Sequence, residues 1–458
     1  MMAMSDSMIL QDMYFTTPEM KHIFGDRNRI QKQMDCEAAL ADAEAELGII
    51  PREMATEIMR CSQVDLIDFE ALQADFVRTG HPFVPLVHAY KKICQHQAGE
   101  YMHWGATTQD ILDTGTTLQL KEAYELLMKR FEELYAVTAE AAYRYKDLVM
   151  VGRTNGQQAL PITLGYKIAV WGFELRENID RLHECSTRAF RGQLAGAVGT
   201  MASFGTQGLE VQARFLQKLG LSIPPIAWSV SRHHYAELMN DFALMAATMG
   251  KIGTEVYALQ KSEIGEVEEV QGEGSVGSST MPHKRNPFRA MELSTNARLV
   301  RGCAATLMEC LELEHERDPR GASAEIPIFT QICSLVHASV ERAIGLVKHL
   351  HVYPAHMQRN LDCLHGLIFS EAVMMQLGKR MGLQTAHAIV HELSMRAFQQ
   401  ECSLGELLKQ DLRVQQHLSA EDIDAIMQPE HYIGLAPLFA ERIKQQKDAY
   451  FSALKHDE

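Results

Sequence analysis

Between residues 118 and 150, Leu120, Tyr124, Leu127, Phe131, Leu134, Thr138, Ala141, Tyr145 and Leu148 recur at alternating spacings of four and three. That is the period of one face of an α-helix, so the stretch predicts one long amphipathic helix. Similar apolar patterns run through 162–190, 233–262, 288–313 and 326–350, each longer than the usual globular helix. Long helices of matched length bury their stripes against one another, as a bundle. Alternating Val/Ile/Thr segments bounded by turn pairs are few, so strands are expected to be scarce. Gly152-Arg153 with Gly156 and Pro161 is read as the stop of the first long helix, and Pro354 as the border of a tail of shorter helices from about residue 359. At 458 residues the chain exceeds what one hydrophobic core holds. The expected fold is all-α with three helical domains: an N-terminal domain over 1–113, a central long-helix bundle over 114–358 and a C-terminal domain over 359–458.

The formal charge of −15 argues against nucleic acid as a partner, because phosphate binding relies on clustered Lys and Arg. A small anionic substrate remains compatible, since a few cations can make one cleft positive on an acidic protein. The nine cysteines form no Cys-x-x-Cys and no zinc spacing, so buried free thiols in a reducing cytosol are expected, with no metal. The start, MMAMSDSMILQDMYF, has no basic region followed by an apolar stretch, and no run reaches membrane-spanning length; a cytoplasmic protein away from the membrane is expected.

One segment departs from this helical composition. GSVGSSTMPHKRNP, residues 274–287, sets glycines and serines before His283-Lys284-Arg285-Asn286, with Pro282 and Pro287 on either side. Gly and Ser loosen the backbone while Pro fixes turns, which predicts a loop able to close over a ligand; an ordinary surface linker is the competing reading. The string GSSTMPHKRNP resembles the signature of the fumarase/aspartase superfamily, G-S-S-x-M-P-x-K-x-N-P, at every fixed position. YMHWGATTQDILDT (101–114) resembles the family's first region, GRTNGQQALPITLG (152–165) its second, and GQLAGAVGT (192–200) the glycine-rich segment between the second region and the signature loop. TPEMKHIFGDRNRIQ and NLDCLHGLIFSEAVM are similar to the branch holding adenylosuccinate lyases and 3-carboxy-cis,cis-muconate cycloisomerases.

The resemblance implies Ser278 as general base, with Ser279 beside it and His103 as a proton-transfer or charge-stabilising partner. Thr107, Thr108, Thr154, Asn155, Gln157, Lys284, Asn286 and Arg317 would bind the substrate. It also implies a homotetramer whose active sites draw the three signature regions from different subunits, and no cofactor. These residue types suit the chemistry. Removing a proton beside a carboxylate creates a dianionic intermediate, which needs fixed donors and positive charge. The reaction implied is β-elimination from an N-substituted aspartate, cleaving a C–N bond to give fumarate. A cycloisomerase is the alternative within enzymes, and a noncatalytic structural or binding tetramer the alternative outside them.

Two departures stand against the pattern. Where lyases of the family carry histidine in Arg-Thr-His-Gly-Gln, this chain has Asn155, whose amide cannot deliver a proton near neutral pH. Four explanations stay open: a leaving group needing little protonation; another acid, His103 or the His233-His234 pair; an engineered substitution; or a dead enzyme. Bacterial cycloisomerases of the branch, as a family, can also lack that histidine. In HERDPRGASAEIPIF, Ala322 and Ile326 occupy the family's serine and arginine positions, and Ser231-Arg232-His233 replaces Gln-Arg-Asp. These changes weaken nucleotide recognition more than elimination, with Arg317 and Arg320 left as anion contacts. Most of the 20 histidines are expected at the surface or satisfied in the core, the 25 methionines as core filler, and GEVEEVQGEG as a solvated flank of the loop.

Overall fold

Each of the five apolar periods forms a helix, with limits set by side chains that an apolar count does not register. The computed structural model describes residues 9–270, 272, 274 and 277–457. Residues 1–8 of the amino terminus, Gln271 and Glu273 of the acidic run, and Ser275 and Val276 of the Gly/Ser-rich loop lie outside the described residues. The long helices are α1 (Thr108–Arg144), α2 (Leu164–Ala189), α3 (His233–Leu259), α4 (Phe288–Glu309) and α5 (Pro319–Lys348). Among the described residues there are 19 α-helices and only two two-stranded ribbons, so the chain is all-α with scarce strands, as expected.

Helix α1 begins at 108 rather than 118. Its first turns bury Asp110, Asp113, Thr114 and Thr117, polar residues that hydrogen bonds satisfy, so the buried face is not apolar there. The start is also capped: the Asp110 carboxylate accepts the Thr107 N–H at 2.9 Å, and Thr107 O accepts the Asp110 N–H at 2.9 Å. Helix α5 begins at Pro319 rather than 326, because proline suits a first helical turn, and it runs through Pro327 at an exposed position.

The segment read as a helix stop is a hairpin. Helix α1 has already ended at Arg144, and β1 (Val149–Thr154) pairs antiparallel with β2 (Gln157–Thr163). Asn155 and Gly156 form the two-residue loop with φ of 52° and 77°, the positive pair that a type I′ turn needs. Leu148 kept the helical period by coincidence. The Asn-Gly pair between apolar runs was the local sign of the hairpin, and a register shift between Val151 and Arg153 places a bulge at Gly152.

The chain folds as two compact units. The first holds the described residues of Met1–Phe131 with Asn178–Met249 and Thr295–Glu341; the second holds Glu132–Glu177, Gly250–Ser294 and Arg342–Glu458. In the first, Phe131 of α1 packs on Phe242 of α3, Tyr235 of α3 on Phe329 of α5, and Asn178 of α2 bonds Thr248 of α3 at 3.0 Å. In the second, a Cβ at Gly253 of α3 would collide with the Ala290 carbonyl of α4, so only glycine permits that approach. Leu377, Leu393, Leu404, Leu408 and Ile423 build a further core among the C-terminal helices of this unit.

In the first unit the helix Asp26–Glu46 packs on the helices Arg52–Cys61 and Gly208–Lys218 and buries two carboxyl groups, Glu37 and Glu44. Neither Glu44 oxygen has a hydrogen-bond partner among the described residues. Burial, and then the charge of Glu37, pushes its pKa up to about 9. The folded protein therefore keeps a proton on Glu44 that the unfolded chain loses near its ordinary value. Stability from this group is complete below about pH 4.5 and is lost as pH rises toward about 9. Glu44→Gln, which stays neutral, should match the parent in acid and exceed it by roughly 3 kcal/mol near neutral pH. Urea denaturation from pH 5 to 8.5 checks this (about, as a working range); parallel pH dependences in the two proteins would refute it.

Candidate active site

In the first unit, the HWGATTQD stretch leads into the start of α1. His103 lies in the left-handed region, φ 57°, with its ring Nδ1 2.7 Å from Glu37 Oε1 and its N–H donating to Glu37 Oε2 at 2.9 Å. Burial pulls the His103 pKa down, but the hydrogen bond and charge of Glu37 and the charge of Asp110 outweigh it, leaving the pKa raised. Gly105 follows with φ 73°, and a Cβ there would enter the Phe204 ring. Only glycine turns the chain at that point.

Asp110 is fully buried and organises what surrounds it. Besides the Thr107 N–H, its carboxylate accepts the N–H groups of Ala195 and Gly196, each at 3.0 Å, joining the glycine-rich segment to α1. Burial raises its pKa to about 6 against those three donors. Arg317 closes the cluster: it donates to Thr107 Oγ1 at 3.0 Å, to Gly196 O at 3.3 Å and to Ala197 O. Thr107 and Arg317, two of the expected binding residues, thus meet, with Thr108 next in the chain as the first residue of α1.

The second unit carries the other expected residues in two places. Thr154, Asn155 and Gln157 are exposed at the tip of the β1–β2 hairpin. The described part of the signature loop is pinned at both ends. Gln260 donates to Arg285 O at 2.9 Å and accepts the Glu269 N–H at 2.8 Å, while Glu269 accepts the N–H groups of Arg289 and Ala290 that begin α4, each at 3.1 Å. Glu268 holds Arg285 and Tyr353. Within the loop Asn286 Nδ2 donates to Gly277 O at 2.7 Å.

Between these anchors stands Ser278, half-buried, with Ser279 exposed beside it. Ser278 Oγ accepts the Met281 N–H at 3.1 Å and the Thr280 N–H at 3.4 Å. Two donors on one hydroxyl oxygen favour its alkoxide, which is the form a serine base requires. Lys284 and Asn286 line an open cavity of about 1190 Å³ together with Lys261, Arg285, Glu263 and Glu268; Arg285 is paired with Glu268, while Lys261 and Lys284 offer positive charge to a carboxylate.

Comparison with known proteins shows the family. Residues 12–302 match the family described as "Lyase", and residues 366–443 match "Adenylosuccinate lyase C-terminus". The chain belongs to this lyase family, the fumarase/aspartase superfamily. It is 40% identical over 421 residues to N-acetyl-S-(2-succino)cysteine lyase of Enterococcus italicus, covering 92% of each chain. Identity to adenylosuccinate lyase of Methanocaldococcus jannaschii is 38% over 437 residues, 94% of each. Among solved structures, the 3-carboxy-cis,cis-muconate lactonizing enzyme of Pseudomonas putida superimposes with a TM-score of 0.92 at 35% identity, over 96% of this chain and 99% of that one.

Set within the lyase family, the departures acquire structural reasons. Arg232 is buried between Asp113, bonded at 2.9 Å through each terminal nitrogen, and Glu325, bonded at 2.7 Å through Nε. Its charge is satisfied inside the unit. His234 is buried against Trp228, and burial, then Arg232, drives its pKa down to about 3, which disfavours the imidazolium an acid needs; His233 is exposed. His103, by contrast, has its pKa raised. Arg320 is held by Asp318 and Glu314. Glu37, Asp110 and the Gln260–Glu269 clamp were not singled out by sequence reasoning; the Thr-x-x-Asp cap was the one available signal among them. No helix among the described residues is long and apolar enough to cross a membrane.

Proposed function

We propose that this chain is a β-eliminating lyase acting on a succinyl-type dicarboxylate, and that the group it expels leaves as a stable anion. Ser278 takes a proton from the carbon beside one carboxylate, with its alkoxide supported by the Met281 and Thr280 N–H groups. Lys284 and Asn286 receive the charge that builds on that carboxylate. Thr107, Thr108, Thr154, Asn155, Gln157 and Arg317 supply the remaining donors. The reading includes a homotetramer in which different subunits contribute the three signature regions to one site.

The observation that carries the choice of leaving group is Asn155 at the tip of a type I′ turn. A C–N bond releases an amine that needs a proton, and the acid is missing there. A C–S bond releases a thiolate whose conjugate acid has a pKa near 8.5, stable enough to depart unprotonated. The relative whose name includes S-(2-succino)cysteine favours the same choice. Cleavage of a succinyl thioether is therefore placed ahead of the C–N bond expected at first: the substrate loses one proton and its thiolate, giving fumarate, and the thiolate recovers a proton to leave as the thiol.

The test is a product screen with N-acetyl-S-(2-succino)cysteine, adenylosuccinate, argininosuccinate, aspartate and 3-carboxy-cis,cis-muconate. Fumarate with free thiol is the expected result. Fumarate from an amine substrate alone would return the protein to the C–N lyases, and lactone without fumarate would place it with the cycloisomerases. Asn155→His should leave thioether turnover within about threefold, because histidine keeps an N–H donor, also tolerates positive φ, and no acid is required. A gain of about 100-fold would show that an acid had been lost.

A further inference from the structure

His103 is held by more than its position in the chain. The residues Glu37 and His103 are 66 apart in sequence, yet one carboxylate engages both the backbone N–H and the ring of the histidine, at 2.9 and 2.7 Å. The φ of 57° at His103 brings these two groups round to the same side. Glu37 is only 1% exposed, and the Phe83 ring lies 5.0 Å from the imidazole, so water does not compete freely for the pair.

The geometry settles which nitrogen carries hydrogen. An ionised carboxylate only accepts, so Nδ1 donates to it, and Nε2 is left as the nitrogen that gains or loses a proton. Two charged groups act on the ring: Glu37 from the helix Asp26–Glu46 and Asp110 from the first turn of α1. Phe83, packed on it from the helix-leading segment, carries no charge. Both carboxylates favour the imidazolium.

We infer that Glu37 is the positioning residue for His103: it keeps hydrogen on Nδ1 in both protonation states and favours protonation of Nε2, whose N–H meets the charge on the departing group. This rests on the proposed lyase reading, to which it adds His103 as the charge-stabilising partner of the leaving group. A merely structural staple between a loop and a helix would need neither the tautomer nor the charge.

The experiment follows the ring ¹³Cε1 and ¹⁵N signals of His103 against pH in the full-length protein, assigned by their loss in His103→Asn. It compares the parent, Glu37→Gln and Glu37→Asp, and runs kcat and KM against pH with N-acetyl-S-(2-succino)cysteine in parallel. Glu37→Gln should move the His103 titration to lower pH and mix its tautomers. It should also lower kcat at neutral pH by about tenfold or more with KM nearly constant, and shift the alkaline fall of kcat to lower pH. Glu37→Asp, which keeps the charge and serves if the glutamine variant folds poorly, should recover much of both. An unchanged titration and tautomer in a folded Glu37→Gln would overturn the inference. If the titration moves while the kcat profile stays, the positioning role stands and the part assigned to His103 in elimination falls.

Discussion

Ser278→Ala should lower kcat by about 10²- to 10⁴-fold while the protein remains folded. The hydroxyl is the only group on that side chain able to take a proton; alanine removes it together with its bonds to the Met281 and Thr280 N–H groups, but leaves the pins at the ends of the loop. Those pins are elsewhere: Asn286 on Gly277 O, Gln260 on Arg285 O and Glu269 on the start of α4. The variant should therefore keep its circular dichroism, its assembly and its KM, and lose turnover. Ser279→Ala, at an exposed neighbour, should lose far less. Fumarate release followed by absorbance decides between them. Equal losses would move the base away from Ser278, and full biological activity in Ser278→Ala would favour the noncatalytic tetramer.

Arg232→Met should destabilise the protein by about 3–5 kcal/mol. Arginine joins two buried carboxylates, and methionine would leave Asp113 and Glu325 without a counter-charge. Burial already raises the Glu325 pKa, with Arg232 opposing the rise and Asp113 adding to it, so removing the guanidinium would drive proton uptake at neutral pH. Replacing all three together, Arg232→Met with Asp113→Leu and Glu325→Leu, should recover most of the loss, because no buried charge is then left unpaired. Urea unfolding of the single and triple variants measures both effects. A single-variant loss below about 1 kcal/mol would show that the cluster is solvated or dispensable.

These two effects sit at opposite ends of what could be read before the fold was known. Ser278, Lys284 and Asn286 were legible because the loop concentrates unusual residues in one contiguous string. The long helices were legible because a helix repeats its buried face every few residues. The same reasoning lost the start of α1, where Asp110, Asp113, Thr114 and Thr117 replace hydrocarbon on the buried face. It also passed over the β1–β2 hairpin, although Asn155-Gly156 announced it, because a period of three and four happened to continue to Leu148. The hairpin also bears on function: the residue that stands where related lyases carry histidine, Asn155, occupies a turn position with positive φ.

The sequence by itself determined the helical class, the lyase family and the loop that carries the proposed base, since each is encoded in short-range pattern or a contiguous motif. Only the tertiary structure decided that Glu37 meets His103, that Arg232 is neutralised by Asp113 and Glu325, and that burial disfavours the charged form of His234. The first two depend on charges brought together across 66 to 119 positions, and all three on the loss of water by burial. Spacing along a chain carries no record of desolvation or of a distant counter-charge, and these are what set a side chain's protonation state.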